Sequence, residues 1–247
     1  MKKGIIVFSI AASILVITFI SNNVHSRKNL NDDLKNDNYV YETDKDGKTI
    51  LSFTTYLDLA YDLTDSKVLT DAFEYIALIK IDSIDGVDNY DTVINQYVHP
   101  YTYGKATVLK VLKGNINQEK IGFRRLGGKI SFEKWLEGDD APEKIIKIRE
   151  EYGLKNVKNE DTIVNSIIGD DIEVEKGKIY LAFLEYDTSL NKENEYLIGG
   201  VQYGLREVQQ SDVSLNSNGN VGNLKVKDNT TGNWINLSDV VNFNSIK

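Results

Sequence analysis

Residues 101–112 read YTYGKATVLKVL and run into Lys113-Gly114-Asn115. Apolar and polar side chains alternate along the stretch, and the Lys-Gly-Asn triplet is a turn. A strand of this length, closed by a turn, makes the chain a β protein first. Its neighbours lie on either side. Residues 74–81 (EYIALIKI) are an apolar run of strand length, and residues 120–126 (KIGFRRL) are a third strand stopped by Gly127-Gly128. Residues 178–186 (KIYLAFLEY) are apolar and aromatic almost throughout, the pattern of a central strand. Residues 195–199 and 201–208 (EYLIG, VQYGLREV) read as a strand pair bent at Gly199-Gly200.

The flanks add smaller elements. Residues 40–43 and 48–51 read as a hairpin around an Asp-Gly turn at Asp46-Gly47. Phe53, Tyr56, Leu57, Ala60, Tyr61 and Leu63 recur at helical spacing, which predicts a short amphipathic helix over 52–63. Residues 129–176 differ from the strand run. Asp140-Ala141-Pro142-Glu143 is a helix start, with an Asp cap, Pro in the first turn and Glu at the third position. Ala141, Ile145, Ile148 and Tyr152 share one face of that helix, and Gly153 ends it. Residues 223–228 and 232–236 predict a last hairpin, followed by a short helix after Ser238. The regular strand–helix alternation of a Rossmann or TIM architecture is absent. The expected fold is mostly β: a barrel or small sandwich with helical insertions, one domain over 39–247 with a helical insertion at 129–176.

The N-terminus supplies an address. Lys2 and Lys3 precede residues 4–20 (GIIVFSIAASILVITFI), which carry no charge. At about 1.5 Å per residue such a helix spans about 25 Å, against a hydrocarbon core of about 30 Å. The run is therefore slightly short for a span and slightly long for a signal core. Val24 and Ser26 suit the −3 and −1 places of a cleavage site before Arg27. Residues 1–26 thus read equally as a cleaved signal peptide or a retained membrane anchor, and 27–38 as a polar linker. Either version places the domain outside the cytoplasm, secreted or held to the cell membrane by a single N-terminal helix.

Composition narrows the chemistry. The 247 residues include no cysteine, two histidines, 29 basic and 37 acidic residues, for a net charge of −8. Disulfides, thiolate metal sites, cysteine nucleophiles and a lipidated cysteine are excluded. The acidic balance argues against nucleic acid as a partner.

Several stretches resemble the bacterial netrin-like modules. Residues 74–81 look like their opening strand, and 106–114 (ATVLKVLKG) like their V-x-x-VLKG strand and turn. Residues 121–128 (IGFRRLGG) look like the next strand with its double glycine. Residues 175–184 (EKGKIYLAFL) look like G-x-x-YLLFL, and 196–204 (YLIGGVQYG) like the closing Y-x-x-GG-x-x-G. The likeness covers about residues 72–206, less 129–176. It implies a five-stranded OB-like barrel, as in netrin and metalloproteinase-inhibitor domains, and no particular reaction. The animal inhibitors chelate a protease metal through a disulfide-anchored N-terminal cysteine, which this chain lacks.

Each candidate site has a plainer explanation beside it. Glu42-Thr43-Asp44-Lys45-Asp46-Gly47 imitates the start of a calcium loop, but the twelfth place, where a clamping carboxylate belongs, is Phe53. His99 is the one histidine beyond the leader, so a multi-histidine metal site is excluded and a Ser-His-Asp triad would rest on it alone. Asp139-Asp140 and Asp170-Asp171 are acidic pairs that could serve a glycosidase, but a helix cap and a turn explain them. The expectation is no catalytic residue, no metal and no cofactor. Of Arg124 and Arg125, alternation turns one outward toward an acidic partner and one inward, where it needs a counter-charge. Tyr90, Tyr97, Tyr101 and Tyr103 gather near a barrel mouth, and tyrosines bury area at low entropic cost. These four, with His99, Arg124 and Arg125, are the candidate binding residues. The expected function is a non-enzymatic extracytoplasmic module that binds an extracellular or cell-wall protein or peptide. The alternatives are a secreted carboxylate-dependent hydrolase and a membrane-anchored protective (immunity-type) protein.

Overall fold

Strand β3 (Tyr75–Asp91) and strand β4 (Gln96–Lys113) form one long antiparallel hairpin, and the rest of the fold is built against it. The computed structural model describes residues 39–137 except 58, 60 and 93, then 143, 146, 147, 150, 158–187, 194–209 and 221–246. They belong to one unit, Asn38–Lys247. The expected leader at 1–26, the linker at 27–38 and most of the helix at 140–153 lie outside the described residues. Among the described residues no helix is long and apolar enough to cross a membrane.

The main sheet closes into an uneven ring. Strand β4 pairs with β5 (Lys120–Leu126), and β3 pairs on its other side with β8 (Ile179–Tyr186). Strand β9 (Glu195–Ile198) completes the circuit, antiparallel to β8 and parallel to β5. The inward positions alternate as a pleated strand requires. Ala77, Ile79, Ile81, Ala106, Ile121, Phe123, Tyr180, Ala182, Leu184 and Ile198 fill the interior. The outward residues Ile76, Leu78, Leu181 and Phe183 are equally buried, under helix α1 (Ser66–Ala72) and the C-terminal elements. Strand β8 is therefore covered on both faces, as its composition predicts. Each fully buried Leu, Ile or Phe contributes about 1.5–3 kcal/mol of burial free energy.

A second sheet has the order β1–β2–β7–β6: β1 is Tyr39–Thr43, β2 is Thr49–Thr55, β7 is Thr162–Ile168 and β6 is Gly128–Ser131. The β1–β2 hairpin is as expected. Asp44 closes it by accepting from the backbone N–H groups of Asp46 and Lys48 at 2.9 and 2.8 Å. The carboxylate that imitated a calcium ligand is thus a turn fastener.

Three expectations change. Residues 52–55 continue strand β2 instead of starting a helix, because β2 pairs in parallel with β7 from Thr49↔Thr162 to Thr55↔Ile168. Segment 129–176 is not purely helical: β6, helix α2 (Phe132–Glu137) and β7 lie in it, while the described residues 143, 146, 147 and 150 of the expected helix are helical. Residues 195–208 do not pair with each other. Strand β9, a helical turn α3 (Val201–Gly204) and strand β10 (Leu205–Glu207) follow one another along a single edge of β8. The C-terminal expectation stands: β11 (Lys225–Lys227) and β12 (Trp234–Asn236) pair and lead into helix α4 (Leu237–Val240).

Candidate functional site

Beyond the ring, β3 and β4 run on as a two-stranded ribbon, and this ribbon carries the tyrosines. Tyr90 and Tyr97 are direct cross-strand partners with ring centroids 5.0 Å apart at 67°. The Tyr101 hydroxyl donates to the Tyr90 carbonyl at 3.0 Å, and its ring lies 6.3 Å from that of Tyr103. The four lie together on this ribbon, beyond the ring, where the expectation put them near a barrel mouth. They differ in exposure: Tyr101 is 8 % exposed and Tyr97 is 44 % exposed, beside Ile94 at 39 %. The Tyr97 hydroxyl reaches only a 3.4 Å contact with Glu137 Oε2 on α2. Burial, then the Glu137 carboxylate, raises the Tyr97 phenol above its usual range, so it stays a neutral donor.

His99 departs from this row. Tyr90 pairs with Tyr97 and Asp88 with Tyr101, so 98–100 on β4 face the single residue Asn89 on β3. That bulge re-aims the side chain, and Pro100 within it has no N–H to leave unpaired. The His99 ring turns to the second sheet, where Nε2 lies 2.7 Å from Ser166 Oγ and the ring meets Phe53 edge-on at 6.4 Å. A Ser–His pair invites a catalytic reading. Ser166 is only 2 % exposed, so its hydroxyl cannot meet a substrate. Burial also drives His99 down to about 4, which keeps the ring neutral. The pair fastens the ribbon to β7.

The two arginines are held by acids of this chain. Arg124 lies 4.6 Å over the Tyr101 ring, with Asp91 and Asp187 carboxylates at 3.6 and 3.9 Å. The outward arginine is thus engaged within the fold, and its side chain is 14 % exposed. Arg125 points inward, as alternation predicts, and its counter-charge is Asp171. Arg125 Nη2 also donates to the Val201 carbonyl at 3.2 Å. Val201 has φ +48, an unusual backbone for a β-branched residue, following Gly200 at φ +74. Burial pulls the Arg125 guanidinium down to about 9, so it remains charged at neutral pH. Its Nε and Nη1 have no hydrogen-bond partner among the described residues. Asp170-Asp171 is therefore a turn whose second acid neutralises a buried cation.

Among the described residues no three acidic or histidine side chains stand close enough to hold a metal. Sequence reasoning passed over a second tyrosine group: Tyr75, Tyr186 and Tyr196, whose rings meet edge-on at 5.4 and 5.5 Å. Their signal was strand phase, since each continues an inward-facing series at a strand end. No protein-family profile matches the chain, and no curated protein matches it significantly.

Proposed function

We propose that this chain is an extracytoplasmic binding module, an OB-like barrel of the netrin type that recognises a protein or peptide through the tip of its β3–β4 ribbon. The carrying observation is the exposed apolar pair at that tip, Ile94 and Tyr97, backed by Tyr90 and displayed beyond the ring. The ring order supports the barrel reading: β3–β4–β5–β9–β8 closes on β3, with its parallel contact between third and fifth strands. The conspicuous polar side chains support a non-enzymatic role, because His99, Arg124 and Arg125 are engaged as fasteners. The leader read at 1–26 would deliver the domain across the membrane.

The test is affinity capture from surface extracts of the source cells, with the full chain as bait. Ile94→Ala combined with Tyr97→Ala is expected to lose the captured partner while leaving the urea midpoint nearly unchanged, since both side chains are exposed. Unchanged capture by the double variant would sink the reading.

A further inference from the structure

The C-terminal elements pack on the outer core with helix α1 and leave a hollow of about 250 Å³ among them. Its base is apolar: Leu63, Leu69 and Val240 line it and are buried, with Ile235 of β12 half-buried beside them. Its rim carries hydroxyl residues, since Thr64, Thr230 and Thr231 line it and are exposed. An ion pair stands on the wall. The buried Arg206 of β10 donates from Nη1 to Asp228 Oδ2 at 2.9 Å and from Nε to the Tyr203 carbonyl at 3.3 Å. Asp228 Oδ1 accepts from the Thr231 N–H and hydroxyl, both at 2.8 Å. Burial raises the Asp228 carboxyl, but the Arg206 and Thr231 contacts outweigh it and hold the group below its usual range. The Asn229 side chain donates to the Gln202 and Leu205 carbonyls, both at 2.8 Å, which pins the β11–β12 turn to α3 and β10. The other acid on the lining, Asp239, accepts from the Asn236 N–H at 3.1 Å in the capping box of α4. The polar wall is thus fixed before any guest arrives.

The lining selects its guest by charge, polarity and size. An anion would meet two carboxylates against one arginine. A cation would find both acids already held, Asp228 by Arg206 and Asp239 by a backbone N–H. A wholly apolar guest would strip water from the ion pair and the rim hydroxyls without replacing its hydrogen bonds. A neutral guest rich in hydroxyls meets each part. Its hydroxyls accept from the guanidinium and donate to the carboxylate, while a C–H face rests on the aliphatic base. The hollow has the volume of roughly eight waters at about 30 Å³ each. That is below the about 300–1,000 Å³ of sites for drug-sized ligands, so it suits one ring. We propose that this hollow seats a single pyranose ring of a neutral sugar. The inference goes beyond the ribbon-tip reading, and the two sites share no residue.

The test is titration of the full chain, carbon-13-labelled at its isoleucine methyls, with N-acetylglucosamine, its linear trimer, gluconate, butylammonium and cyclohexanol. The Ile235 signal is assigned with Ile235→Val and followed by NMR. A saturable Ile235 shift is expected with the two neutral sugars and absent with the anion, the cation and the apolar ring. Arg206→Lys, which keeps the charge and loses the planar fork, is expected to weaken binding by about tenfold. Thr230→Trp, at an exposed rim position, is expected to block the seat and keep the urea midpoint, so it carries the test if Arg206→Lys lowers that midpoint. Tighter binding of the trimer assigns the seat to one ring of a glycan chain; equal binding assigns it to a free sugar. No Ile235 shift with either sugar, equal shifts with gluconate, butylammonium or cyclohexanol, or binding untouched by Thr230→Trp would overturn the proposal.

Discussion

Arg125 and His99 are ionisable side chains whose surroundings decide their roles. An inward arginine on β5 was legible from alternation, but its partner Asp171 lies far along the chain, and no local pattern ties the two. Removing one member of a buried ion pair strands the other. Asp171→Asn is expected to cost about 3–5 kcal/mol in urea denaturation. Replacing both, as Arg125→Met with Asp171→Leu, is expected to recover most of that loss. An Asp171→Asn variant as stable as the parent would contradict the pairing. His99 gives the opposite dependence on pH from a salt-bridged histidine. Folded, it stays neutral down to about pH 4; unfolded, it protonates near the usual pH of about 6.5. Stability is therefore full above about pH 6.5 and falls as pH drops toward 4, by roughly 2–3 kcal/mol from this group. His99→Gln, which can still bond Ser166, should remove that part of the slope when urea midpoints are compared at neutral and acidic pH.

At the scale of elements, strands with local patterns were legible and strands defined by distant partners were not. Residues 74–81 and 178–186 announce themselves as continuous apolar runs because they are covered on both faces. Residues 52–55 show helical spacing, yet pairing with β7, which no local window contains, makes them a strand. The tyrosine ribbon was legible as a cluster, but the bulge that turns His99 away from it was not, since a bulge is a mismatch between two strands. The ribbon leaves the ring where Gly104 on β4 packs against Ser83 and Phe123. A Cβ there would collide with the Ser83 carbonyl oxygen and touch the Phe123 ring at 3.0 Å. Gly104→Ala is expected to cost roughly 2–3 kcal/mol by thermal or urea unfolding. A neutral effect would mean that β4 does not cross β3 as closely as described.

For the whole molecule, the division of labour follows from which groups are already paired. The ring supplies two apolar cores, one inside it and one between its outer face and the C-terminal elements. The second sheet grips the base of the ribbon through Ser166 and His99, and helix α2 holds it through the Lys134 carbonyl, which accepts from the Asn89 side chain at 3.0 Å. On the proposed reading, recognition falls to Tyr97 and Ile94, exposed at the ribbon tip. The ordering of residues into fasteners and contacts needed the fold. The most direct measurement is amide hydrogen exchange on the full chain, alone and with its captured partner. Protection gained at residues 90–97, with β7 around Ser166 unchanged, is the result this account predicts. Protection gained around His99 and Ser166 while 90–97 stay unaffected would contradict it.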